Sequence, residues 1–247
     1  MRRKTALTEA LAVLIWVAAW HIAATLANRS LLLKLPLPLD TLAAFARLCG
    51  EGRFWQGVGR SVLNILLGLA AGAALGAAGA VAASASPAFE RLTAPLLRLI
   101  RTVPVAAFIM LAWLWIPSRA LPSFVSALMV LPIIWSHVDA GLRSVDERLP
   151  EMARAFGMGR RGVLFKVRLP LMAPALRTGC LTAVGIAWKA GIAAEVICNP
   201  TGSIGAMLQG AKVAIDYERV FAVTLMVVLL SLLFENALKC AWKEQRR

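Results

Sequence analysis

The sequence is poor in the residues from which most catalytic and metal sites are made. It has two histidines, His21 and His137, which stand far apart with no HExxH pair between them. A membrane enzyme working through paired His, Asp or Glu at metal or acid/base spacing therefore has no support. The four cysteines, Cys49, Cys180, Cys198 and Cys240, form no CxxC pair, so free thiols are expected of them and no metal site. No GxxxxGK[ST] loop occurs anywhere, and without that backbone cradle and lysine the chain has no phosphate loop for ATP. Charge is scarce too: 16% of the 247 residues are Asp, Glu, Lys or Arg. Of these, 27 are basic and 13 acidic. The basic residues flank apolar segments and lack the aromatic interleaving of a nucleic-acid surface, which argues against nucleic acid as a partner.

What is abundant is apolar side chain, at 60% of residues and a mean hydropathy of +0.73. That is more than one soluble core of this size hides. A bilayer core about 30 Å thick needs roughly 20 apolar residues per crossing helix. Six stretches approach that length, at 6–27, 61–83, 99–116, 121–140, 172–198 and 219–239, and an all-α polytopic bundle of about six spans is expected. The third stretch is the weakest, because Arg98 and Arg101 leave a short uncharged run up to Ile116. A short or broken helix is expected there. The first stretch follows "MRRK" but outruns the h-region of a signal peptide, so an uncleaved anchor is expected.

Charge placement sets the orientation. With the N-terminus in the cytoplasm, 18 of the 27 basic residues fall inside, eight fall outside and Lys189 lies within a span. That asymmetry follows the positive-inside rule and places both termini in the cytoplasm. Arg29, Lys34, Arg47, Arg53 and Arg60 run against it, and an amphipathic helix on the outer surface would accommodate them. The chain divides into an anchor and outer loop (1–60), a transmembrane unit (61–240) and a short cytoplasmic tail (241–247).

Within the second span Gly68, Gly72 and Gly76 recur every four residues, with Ala80 and Ser84 continuing the row. Small residues on one helix face let a neighbouring backbone approach closely, which is how helices associate in lipid. Pro104, Pro122, Pro132 and Pro174 lie in or beside spans, where freed carbonyls need other partners.

Between spans four and five lies a connection of about thirty residues, 141–171, where a few would suffice. Loops of that length usually have a function. It contains "EMARAFGMGRRGVLFKVRLP" and the basic residues Arg148, Arg154, Arg160, Arg161, Lys166 and Arg168. "SVDE" at 144–147 has capping-box spacing, and Pro150 is an alternative first helical residue. Either start makes a short helix ending near Gly157, with Met152, Ala155 and Phe156 on one face. A second short helix is expected to present Val163, Leu164 and Val167 before Pro170 breaks it. Two such helices suit either an anionic lipid surface or a partner's groove.

Glu151, Ala153 and Gly157, followed by Val167, Leu169 and Pro170, resemble in order and spacing the EAA loop of ABC transporter permease subunits. Met152 stands where that family usually has its second alanine, and Val167 where it often has isoleucine. "RTVPVAAFIMLAW", "LPIIWSHVDAGLRSVDERLPEMA" and "GIAWKAGIAAEVI" followed by "GSIG" resemble the nitrate, sulfonate and taurine branch of the binding-protein-dependent importers. The resemblance covers about 60–240. It implies a permease subunit of a bacterial inner membrane that pairs with a second permease copy, forms the path for a small solute, and seats the loop residues Glu151, Ala153, Gly157, Val167, Leu169 and Pro170 in a separate cytoplasmic ATPase. ATP would be bound by that partner, and an extracytoplasmic solute-binding protein would deliver the solute. "WIPSRALPS" at 115–123 departs from the Phe-Gly-rich segment many relatives have, which leaves the solute unassigned. A secondary transporter or channel is the alternative, but it has no need of so long a loop.

Lys189 and Glu195 both sit within span five, where an ionisable group is tolerated only beside a partner or a cavity. Six residues apart, they are separated by about 240° around a helix and do not share a face. Trp188, Gly191 and Glu195 do share one. Two readings stand open. In one, Lys189, Trp188 and Glu195 border the substrate path, with Lys189 easing an anion through and Glu195 shaping the outer gate. In the other, Lys189 bonds between helices and Glu195 holds a turn before Pro200. His137 and Asp139 are expected to anchor the start of the loop.

Overall fold

The computed structural model describes residues 2–29 and 34–244. The side chains of "MRRK" and of the expected tail 241–247 lie outside what is described. Every regular element among the described residues is helical. The chain opens with α1 (Arg2–Ala27), α2 (Pro38–Cys49) and α3 (Gly52–Ala85). The amphipathic helix expected in the first connection corresponds to α2, which buries Thr41, Ala44 and Leu48 and leaves Leu39 and Leu42 exposed. Proline at its first turn and Asp40 beside it suit a helix N-terminus. α3 runs unbroken through position 61, so a division at 60/61 cuts one helix.

The expected third span is not a single rod. It is α4 (Pro87–Thr102) and α5 (Val105–Ala112), bent by 106° at Val103–Pro104. Proline has no N–H to continue the ladder and pushes the preceding residue out of the α region. Val103 is accordingly extended, at φ −72° and ψ 129°. By length and composition, four described helices are long and apolar enough to cross a membrane, or five if the bent pair counts as one. The described apolar part of α1, Leu11–Ala27, is shorter than those. The expected number of about six is therefore approximate, with four or five such spans among the described residues.

α6 (Leu121–Arg143), α7 (Arg148–Ala155), α8 (Arg160–Val163), α9 (Leu169–Cys198), α10 (Ile204–Val213) and α11 (Tyr217–Glu244) complete the chain. The centre of the molecule is α6 packed between α3 and α9, with Ile65, Val130, Ile134, Val138, Ala183 and Ala187 buried among them. The glycine row explains the α3–α6 approach. A Cβ at Gly68 would lie 2.3 Å from the Ser123 carbonyl oxygen, at Gly72 2.4 Å from that of Ala127, and at Gly76 2.6 Å from that of Leu131. These three α6 residues follow the same four-residue step, so backbone meets backbone along one seam. Pro132 and Pro174 are accommodated inside α6 and α9.

Candidate functional site

The long connection is built between α6 and α9. As α6 ends, Arg143 pairs with Asp139 at 3.0 Å and with Glu90 of α4 at 2.7 Å, while His137 packs against the bare backbone of Gly179 on α9. α7 starts at Arg148, two residues before Pro150. The Asp146 Oδ1 accepts from the Arg148 N–H at 3.0 Å, and no side-chain cap comes from Glu147, so "SVDE" does not close as a capping box. Glu151 stands in the first turn, where a carboxylate faces the positive end of the helix.

α7 ends as expected near Gly157. The Gly157 N–H donates to Arg154 O at 2.9 Å and the Met158 N–H to Ala153 O at 3.0 Å. This is the paired closure of a Schellman motif, with Gly157 at φ +80° in the left-handed position. Met152, Ala155 and Phe156 form an exposed face, Phe156 at 84%. The second face behaves differently: Val163 is buried, with Leu164 and Val167 half-buried.

Pro170 does not break the chain. α8 passes through a π-helical turn, Leu164–Arg168, directly into α9, and the helix is continuous over Arg161–Cys198. Pro170 sits in the first turn of α9 and is exposed, and the wider π turn before it makes room for a ring that has no N–H to donate. Leu169 packs on the central cluster. Across the loop, the Arg168 guanidinium donates to Glu147 at 2.7 Å, closing its exit against its entrance. The result is a short arm with three exposed apolar side chains, Met152, Phe156 and Phe165, joined to two long helices by helix and ion pair.

α9 places its two charges in opposite settings. Lys189 is exposed, although Trp188 and Ala190 on either side are buried. It continues a stripe with Thr178, Thr182 and Gly185 by three- and four-residue steps. Thr178 and Thr182 are exposed, and a Cβ at Gly185 would meet nothing within 4 Å. Both threonine hydroxyls donate back to their own helix, at Pro174 O and Thr178 O. The stripe is polar, open and lined by small groups. Sequence reasoning identified Lys189 but passed over the threonines, whose four-residue spacing was the available signal.

Trp188 faces the other way. It is 3% exposed, its Nε1 donates to Val227 O of α11 at 3.0 Å, and its ring lies 5.5 Å from Phe234. It joins α9 to α11. Glu195 is fully buried. Its Oε2 accepts from the Ser61 hydroxyl of α3 at 2.8 Å and from the Gly205 N–H of α10 at 3.0 Å. Ser61 in turn accepts from the Ile204 N–H at 2.9 Å. The carboxyl group thus faces the N-terminus of α10, which Ser203 caps through its hydroxyl, and it ties α3, α9 and α10 at one point. Gly205 is small because Glu195 leaves no room: a Cβ there would lie 2.3 Å from the Glu195 Cβ. Neither Ser61 nor this junction was legible in the sequence. Arg101, noted there only as a flanking charge, reaches from α4 to Pro132 O at 3.0 Å and to the Ser136 hydroxyl, and so secures the bent pair to α6. No group of metal-ligating side chains occurs among the described residues.

Residues 64–239 match the family described as binding-protein-dependent transport system inner membrane component. The chain is 29% identical over 245 residues to the taurine transport system permease protein of Escherichia coli (strain K12), covering 96% of this chain and 87% of that one. It is 30% identical over 218 residues to a putative aliphatic sulfonates transport permease protein of the same organism, covering 88% and 81%. Among solved structures, one of a bacterial ABC transporter involved in the import of the acidic polysaccharide alginate superposes with a TM-score of 0.68 at 14% identity, covering 98% and 96%; at that identity the likeness is one of fold. The chain belongs to this family of inner-membrane importer permeases. It is a transport component, not an ATPase, and the secondary-transporter alternative is set aside.

Proposed function

We propose that this permease passes a small anion along the open stripe of α9, works as a homodimer with one ATPase per chain, and receives its solute from an extracytoplasmic binding protein. The observation that carries the anion reading is Lys189: a cation well inside an apolar helix, exposed while its sequence neighbours are buried, beside two threonines and a glycine with space above it. In a low-dielectric setting a cation at that place lowers the barrier to negative charge. Names of similar permeases support the class: they include taurine, aliphatic sulfonates, nitrate and bicarbonate, solutes that carry a sulfonate or a small oxyanion.

Coupling is assigned to the arm at 141–171. Glu151 and Gly157 shape it, Ala153 closes its turn through the backbone, and Met152, Phe156 and Phe165 are apolar side chains offered to a groove. Val167, Leu169 and Pro170 join it to α9. Displacing the arm moves α6 and α9 together, because Glu147–Arg168 and the continuous helix bind it to both. An ATPase that binds one position of the arm more tightly than the other shifts the two-state balance of the transmembrane helices. The charge asymmetry supports a cytoplasmic arm and cytoplasmic termini.

The test is Lys189→Met in proteoliposomes with the ATPase and binding protein, using taurine and nitrate as trial solutes. Removing the charge while keeping the stem is expected to leave assembly and ATP hydrolysis intact and to slow import at least about tenfold, equivalent to about 1.4 kcal/mol of barrier. Unchanged import by an assembled variant would take Lys189 off the path.

A further inference from the structure

We propose that a phospholipid with a primary-amine headgroup, of the phosphatidylethanolamine class, is held between α1, α2 and α11, with an acyl chain in an apolar chamber and its headgroup in an adjoining polar mouth. The chamber has a volume of about 510 Å³. Its walls include Val17 of α1, Leu42 of α2, and Phe221, Leu225 and Val228 in the first turns of α11. Trp20 also lines it, with its ring stacked 5.7 Å from Phe221.

Two polar atoms in this apolar wall point to the ligand. Trp20 Nε1 and Thr41 Oγ1 are both buried without a hydrogen-bond partner among the described residues, and Thr41 is only 2% exposed. An indole N–H only donates, and a threonine hydroxyl donates as well as accepts. A hydrocarbon chain alone would leave both unsatisfied. The ester carbonyls of a glycerolipid, which only accept, satisfy both while the chain below them fills the apolar space.

The mouth supplies the headgroup chemistry. A second space of about 470 Å³ shares Leu35 with the chamber and is lined by Lys34, Asp40, Asp216, Tyr217 and Glu218. The Asn28 side chain fixes the rim by bonding both the N–H and the C=O of Leu35, at 3.0 and 2.9 Å. Glu218 is paired with Arg47 at 3.0 Å. Lys34, Asp40 and Asp216 make no ion pair among the described residues. One cation beside two carboxylates suits a zwitterion: Lys34 takes the phosphate, and Asp40 and Asp216 take the ammonium. A headgroup with net negative charge meets those carboxylates with nothing to offer them. Tryptophan at the chamber and tyrosine at the mouth fit the membrane–water boundary, where such side chains concentrate.

The experiment uses the permease with its ATPase partner, washed extensively in detergent and examined by native mass spectrometry and lipid extraction. Phosphatidylethanolamine and phosphatidylglycerol are then added back in competition. One phosphatidylethanolamine per permease chain is expected to survive the wash and to outcompete phosphatidylglycerol. Thr41→Val, which keeps shape and removes a donor, is expected to weaken retention about fivefold or more, the scale of one hydrogen bond. Val228→Trp is expected to abolish retention by filling the chamber, and should that variant not assemble, Thr41→Val decides alone. Equal retention by wild type and Thr41→Val, or equal binding of the two lipids, would overturn the proposal. So would loss of solute-binding-protein docking in these variants with no lipid found in the wild type, which would make this face a protein interface.

Discussion

Replacing Gly72 by alanine adds one methyl group at the tightest kind of contact in the molecule, helix backbone against helix backbone. The new Cβ would stand 2.4 Å from the Ala127 carbonyl oxygen, 2.9 Å from the Ala127 Cα and 2.9 Å from the Val130 Cβ. Two of those atoms are backbone of α6 and have no rotamer to escape into. Relief to an ordinary contact near 3.4 Å requires α3 and α6 to part by about 1 Å, which forfeits a quarter to a half of the dispersion energy along the seam. Overpacking of this kind costs about 1–3 kcal/mol. Against it stands the helix-propensity gain of alanine over glycine, about 1 kcal/mol, so the clash prevails by up to about 2 kcal/mol. Gly59 in the same helix isolates the opposing effect, since a Cβ there meets nothing within 4 Å. Measured as thermal midpoint in detergent, Gly72→Ala is expected below wild type and Gly59→Ala at or above it. A midpoint for Gly72→Ala equal to that of Gly59→Ala would refute the seam argument.

Three further substitutions probe other joints. Gly157→Ala places a side chain at φ +80°, a strain of about 1–2 kcal/mol borne by the arm alone, and is expected to reduce co-purification with the ATPase while leaving membrane insertion unchanged; undiminished co-purification would contradict the coupling assignment. Glu195→Ala strands the Ser61 hydroxyl and the Gly205 N–H beside a new cavity and is expected to destabilise by about 3 kcal/mol or more, whereas Glu195→Gln keeps an acceptor for both donors and is expected to lose much less; equal losses in a thermal-shift comparison would show that charge outweighs the hydrogen bonds. Ile215 occupies a left-handed position at φ +57° after α10 and is 68% exposed, so Ile215→Gly relieves about 1 kcal/mol of backbone strain and is expected to raise the midpoint. A lower one would mean that the side chain makes a contact worth more than that strain.

The amino-acid order by itself determined whatever depends on near neighbours along the chain. The four-residue glycine row marks a close-packing face whatever helix meets it. A helix running into Gly157 must turn there, because the closing residue of a Schellman motif takes a positive φ. Arg98 and Arg101 marked the third apolar stretch as short or broken, and α4 and α5 part within it, at Pro104. The 240° between Lys189 and Glu195 follows from helix geometry, and the two charges indeed lie in different settings.

Tertiary structure decided what needs a partner far along the chain. Glu195 finds Ser61 from 134 residues away, and no periodicity in α9 or α3 announces that meeting. Trp188 and Lys189 are adjacent, yet one is locked against α11 and the other left open, because the direction of α11 fixes which face of α9 is covered. Pro170 reads locally as a helix breaker, but the π turn before it and the packing of Leu169 and Met172 carry the helix through. The crevice among α1, α2 and α11 exists only because helices from both ends of the chain converge, and it leaves the polar atoms of Trp20 and Thr41 in its wall without a partner among the described residues.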